Sequence, residues 1–113
     1  MFISYNLREP LFDLGEILIS QGVQSAELDV ARYLRRHQAG DFGDVDPEDA
    51  EKNLRAIRCD DAIVSQYQVS HHGQALEIII VTESDRSFTI VMIAGEPMPS
   101  VPDDSGGERW PGP

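Results

Sequence analysis

The sequence is poor in the residues that most directly announce chemistry. A lone cysteine, Cys59, excludes an internal disulfide framework and leaves no multi-cysteine zinc site, so a reducing cytoplasm is the expected compartment. Its neighbours Asp60 and Asp61 disfavour the thiolate, which argues against a cysteine nucleophile. No apolar run approaches the ~20 residues that cross a bilayer. Met1-Phe2-Ile3-Ser4-Tyr5-Asn6 lacks the basic stretch and apolar core of an export signal, so a soluble, non-exported protein is expected. Basic residues are scarce as well, with 9 Lys+Arg against 20 Asp+Glu and a formal charge of −11. Neutralising a phosphate backbone takes clustered Lys and Arg, so direct nucleic-acid binding and an anionic membrane are both disfavoured. A glycine-rich phosphate loop, a serine nucleophile elbow and a two-histidine helix motif are absent, and no cofactor is expected.

What the 113 residues do contain is one modest domain, expected over residues 1–95. From Glu96 onward the composition turns to Pro97, Pro99, Pro102, Gly106, Gly107, Pro111, Gly112 and Pro113, and residues 96–113 read as a disordered tail with Trp110 as its one aromatic. The centre of the domain is Ile78 to Ile93, two apolar runs joined by the polar Glu83–Ser87 turn. It reads as a hairpin whose first arm, Leu76 to Val81, is apolar on both faces. Upstream, Ile63, Ser65, Tyr67 and Val69 alternate with wetter residues as a preceding strand, and His71-His72-Gly73-Gln74 turns the chain between them. Phe12 to Ser20 has the short β-branched character of a first strand.

Two helices are expected. Ser25 is placed to cap one over Ala26 to Gln38, with Val30, Tyr33, Leu34 and His37 on its core stripe and Arg32, Arg35 and Arg36 on another. His37 there reads as a hydrogen-bonded helix-end histidine. Asp46-Pro47-Glu48-Asp49 starts a second helix over Pro47 to Ile57, with Ala50, Leu54 and Ile57 inward and Glu48/Lys52 and Glu51/Arg55 as i,i+4 pairs. The expected fold is α+β: a small, mainly antiparallel sheet, a first strand plus a three-stranded meander, with two helices on one face.

Charge is uneven along this fold. Asp41 to Glu51 holds six acids and no base, and it begins within Gly40-Asp41-Phe42-Gly43-Asp44, a tight loop with an aromatic between two acids. That loop, together with His37, Glu48-Asp49, Asn53, Ser65, Tyr67, Thr82-Glu83, Asp85-Arg86-Ser87 and Thr89, resembles a family of small proteins carried by bacterial plasmids, phages and integrative elements, some of them labelled restriction-system subunits. The resemblance runs from about Leu11 to Ile93. Where the family has Trp in the loop this chain has Phe42, and its ending differs from Met92 onward.

A mobile-element protein of this size and acidity is expected to be a non-enzymatic binding protein. Its partner would be a basic or nucleic-acid-handling protein, and its concrete form an anti-CRISPR or anti-restriction inhibitor. The candidate partner-binding residues are Asp41, Phe42, Asp44, Glu48, Asp49, Glu83, Asp85 and Arg86. At the turn, Asp85 can accept backbone N–H bonds and Arg86 can pair bidentately with Glu83 or Asp85. A second expectation is a small enzyme or metal-binding accessory protein in which the Glu83–Ser87 turn and the Asp41–Asp44 loop converge, with His37 and Asp41 or Asp44, or else Glu83 and Asp85, as potential ligands of a divalent ion. A third is a structural or oligomerising module, suggested by strands apolar on both faces.

Overall fold

A computed structural model describes residues 10–97; the tail from residue 98, Trp110 and the first nine residues lie outside the described part. The class is α+β, with β1 (Glu16–Ile19), α1 (Gln21–Ala26), α2 (Val30–Gln38), α3 (Pro47–Cys59), β2 (Ile63–His71), β3 (Gln74–Thr82) and β4 (Phe88–Ile93). The four strands form one sheet in the order β1-β4-β3-β2. β2, β3 and β4 are an antiparallel meander, whereas β1 joins the far side of β4 in parallel, Leu18 opposite Ile90. No described helix is long and apolar enough to cross a membrane.

The helical layer differs from the expected pair. Ser20 ends β1 and caps α1 at once, its Oγ accepting from Val23 N at 3.2 Å, so the chain turns helical five residues earlier than a Ser25 cap would allow. Glu27 then adopts a left-handed conformation (φ 55°) and Asp29 recaps the chain as α2 by accepting from Arg32 N, so α1 precedes the expected helix, which itself begins only at Val30. The strand expected from Phe12 shortens to Glu16–Ile19, and Phe12 enters the core ahead of it.

Core packing follows the strand alternation. Val23 of α1 and Tyr33 of α2 cluster with Tyr67, Ile78, Ile80 and Val91. Ala56 of α3 joins Phe12, Phe42 and Ile63 on the same side of β2, two and four residues along the alternation from Ser65 and Tyr67. Phe88, Ile90 and Met92 are buried in a separate cluster with Leu18 and Ile79, on the opposite face of the sheet. On α3 the inward residues are Asn53 and Ala56, and Leu54, expected in the core, is 49% exposed. Glu51 and Arg55 approach to only 3.9 Å, at the surface, and Glu48 with Lys52 forms no ion pair.

Candidate functional site

Polar residues from α2, β2, β3 and β4 meet inside the fold. His37, at the end of α2, is fully buried against the sheet, its ring meeting the Phe12 ring edge-on at 5.1 Å. Its Nδ1 lies 2.6 Å from Ser65 Oγ on β2 and its Nε2 lies 2.8 Å from Thr82 Oγ1 on β3. Thr82 Oγ1 is in turn 2.8 Å from Thr89 Oγ1 on β4, and Thr89 Oγ1 donates to the carbonyl of Leu14 at 2.7 Å.

The Leu14 carbonyl can only accept, and this sets the direction of the whole chain. Thr89 gives its single proton to Leu14, so Thr82 must donate to Thr89 and must itself accept from His37 Nε2–H. Nδ1 is then left as the acceptor for Ser65 Oγ–H. One proton is therefore fixed on Nε2, and with Nδ1 accepting from Ser65 the ring is neutral. Burial drives the same way: together with the nearby Arg86 cation it lowers the His37 pKa to about 3. This Ser–His pair has the contact of a nucleophile and its base, but both residues are sealed from solvent and His37 is held on both sides. It joins α2, β2, β3, β4 and the approach to β1, and cannot meet a substrate or a metal ion.

Arg86 is the second internal fastening. It sits at φ 61° in the Glu83–Ser87 turn, and its Nη1 donates to the carbonyls of Asp61 (2.8 Å), Ser84 (3.0 Å) and Glu83 (3.1 Å). Nη2 donates to the Ala56 carbonyl at 2.9 Å, and the guanidinium stands over the Phe12 ring. The expected bidentate pair with Glu83 or Asp85 gives way to the backbone, because the C-terminal carbonyls of α3 end beside the turn and carry the negative end of the helix dipole. Glu83 Oε1 accepts from Ser84 N and Oγ, while its Oε2 is buried without a hydrogen-bond partner. Asp85 accepts from Ser87 N and Oγ, which shapes the turn as expected.

The Asp41–Asp44 loop is laid along the outer edge of β2. Gln66 N donates to Phe42 O at 3.0 Å and Asp44 N donates to Gln66 O at 2.7 Å, so Gly43 bridges Gln66 in parallel. Gly43 has φ 76°, and a Cβ there would run into the Gln66 carbonyl oxygen and the Tyr67 ring. Tyr67 OH donates to the Asp41 carbonyl at 2.6 Å, and burial pushes its pKa up to about 12. Asp41 accepts from Arg36 Nε at 2.8 Å, and the Arg36 guanidinium covers the Tyr67 ring at 4.6 Å. Asn53 closes the next stretch of the edge: its Nδ2 donates to Val64 O at 2.7 Å and its Oδ1 accepts from Val64 N at 3.1 Å.

Of the eight candidate partner residues, Phe42 and Glu83 are buried, and Arg86 is held by four carbonyls. Asp41, Asp44, Glu48, Asp49 and Asp85 are exposed. A groove of about 370 Å³ between α3 and β2 is lined by Val45, Asp49, Lys52, Asn53, Asp61 and Gln66 among others, and it takes in Asp49 alone of the eight. The two loops do not share it: one lies on the β2 edge at Gln66 and the other is bolted to the end of α3. Among the described residues no group of three or more His, Cys, Asp or Glu is arranged to hold a metal ion. Compared with family models, characterised proteins and solved structures, the chain matches none.

One further anchor was hidden in the sequence. Glu96, read as the head of the tail, accepts from Ser20 Oγ (2.6 Å), Gly22 N (2.9 Å) and Ile93 N (2.8 Å), tying the end of β4 to the start of α1. Burial works to raise its pKa, but these three bonds outweigh it and hold the carboxyl below its usual range.

Proposed function

We propose that this chain is a non-enzymatic binding protein that engages a basic surface on a nucleic-acid-handling protein, with inhibition of a restriction or CRISPR system as its concrete form. The supporting observation is a division of labour among the polar residues. Those with chemical potential, His37, Ser65, Thr82, Arg86 and Thr89, are bonded inside the scaffold. The six carboxylates from Asp41 to Glu51 are all exposed on a loop and helix start that this scaffold holds in place. A rigid run of acids presented outward suits a cationic partner through complementary potential and faster encounter.

Capture from a host lysate at low and at high salt tests the reading. The expected result is a basic or nucleic-acid-handling partner retained at low salt and released as salt rises. A partner that is acidic, or one held equally at both salt levels, overturns it.

A further inference from the structure

The outer edge of β2 is closed over one half and open over the other. Residues 64, 66, 68 and 70 turn their backbone groups away from β3, as the outward bonds of Val64 and Gln66 establish. Asn53 fills the Val64 position and the Phe42–Asp44 segment fills the Gln66 position, each acting as a short added strand. Beyond them, no described residue bonds the outward N–H and C=O of Gln68 or Ser70, and both residues are exposed.

This open stretch lacks the usual protection. Edge strands are ordinarily guarded by Lys, by Pro or by a bulge. Ile63 to Thr82 contains no Lys, Arg or Pro, and β2 pairs with β3 in unbroken register from Ile63 to His71. Since β3 meets β4 only from Ile78 onward, residues 69–76 also stand beyond the sheet as a two-stranded ribbon, an arrangement that is marginal without a third strand. The surrounding charge selects the occupant. Glu77 lies directly across from Gln68, and the exposed Asp44 stands where the closed half ends, its N–H donating to Gln66 O. A second copy of the chain would bring these acids against themselves at a net charge of −11.

We propose that the Gln68–Ser70 edge of β2 receives an extended, basic segment of a partner protein as an added strand. Its backbone bonds the outward groups of Gln68 and Ser70, and its Lys or Arg side chains lie beside Glu77 and Asp44. This inference rests on the reading of the chain as a binder of basic surfaces and specifies the contact.

The test is titration of the full, isotope-labelled chain with a short blocked peptide alternating lysine and valine, with a glutamate–valine peptide as control, followed by amide hydrogen exchange. The lysine peptide should slow exchange at Gln68 and Ser70 about tenfold or more, and the glutamate peptide should not bind. Ser70→Pro should weaken binding about tenfold or more without lowering the melting temperature, because the Ser70 N–H points away from β3 and proline there removes no ladder bond. If the lysine peptide binds but leaves Gln68 and Ser70 unchanged, the edge assignment is overturned and the basic-surface reading stands. Absence of any binding at low salt overturns both. A dimer that protects Gln68 and Ser70 without peptide makes a second copy the occupant and overturns the proposal.

Discussion

His37 Nε2 donates to Thr82 Oγ1 across 2.8 Å, with Ser65 on the other nitrogen, and burial keeps this ring neutral inside the protein. The acid cost of such a ring has a definite sign. The folded pKa, about 3, lies below the ordinary 6.5, so between these values the unfolded chain binds the proton that the folded chain refuses. Stability is then complete above pH 6.5 and falls as the pH drops toward 3, with a loss of about 2 kcal/mol from pH 7.5 to 5. Urea melts across this range check it. In His37→Ala most of this slope should vanish, along with about 3 kcal/mol of stability from the cavity and the two stranded hydroxyls.

The tautomer is a separate expectation. Nitrogen-correlated NMR of the imidazoles should show His37 protonated at Nε2 alone down to pH 5, coupled to a slowly exchanging Thr82 hydroxyl. A ring protonated on Nδ1 alone would reverse the direction deduced from the Leu14 carbonyl, and a charged His37 at pH 6 would contradict the lowered pKa.

Arg86 fastens the turn to α3 through carbonyls, so charge is not enough to replace it. Arg86→Ala should cost about 2–3 kcal/mol, and Arg86→Lys should restore less than half of that, because an ammonium cannot fork between Ala56 O and Asp61 O. Were Arg86 a surface contact residue, both variants would melt with the wild type.

Asn53 imitates a strand, and the imitation needs both halves of its amide. Asn53→Asp keeps the acceptor for Val64 N but sets a carboxylate against Val64 O, with an expected loss of about 2 kcal/mol. Denaturation midpoints for Asn53→Asp and Asn53→Ala decide whether the amide or only its volume matters; equal, small losses would refute the strand role.

Glu96 and Gly22 form a further pair. Glu96→Ala should lower stability by about 1 kcal/mol, and Gly22→Ala should do likewise, since its Cβ would run into the Glu96 carboxylate. The double variant should cost little more than either single change, as measured by thermal unfolding.

Much of the fold is legible along the chain where a signal is local. Asp46-Pro47 begins α3, the alternation of Ile63, Ser65 and Tyr67 marks the inward face of β2, and His72-Gly73 makes its turn with left-handed dihedrals at both residues. Misreadings arise where a neighbour far along the sequence decides. Ser25 reads as a helix cap until Glu96 is seen to reach Ser20 and Gly22, and Leu54 looks as apolar as Ala56 until Asn53 is seen to hold Val64. The parallel pairing of β1 with β4 spans some seventy residues and leaves no local trace. At the candidate site, the acids of Asp41–Glu51 are plain from composition, whereas the roles of Ser65, Thr82 and Thr89 exist only through His37.

Direct comparison of partner capture by the wild-type chain and by an Asp44→Asn, Glu48→Gln, Asp49→Asn variant is the most direct test of the claim that the exposed acids are the working surface. The three changes touch no bond of the His37 network, so the fold should be retained. The account predicts a basic or nucleic-acid-handling partner that the wild type holds at low salt and the variant holds at least about tenfold more weakly. Equal capture by both proteins, unaffected by salt, would contradict it.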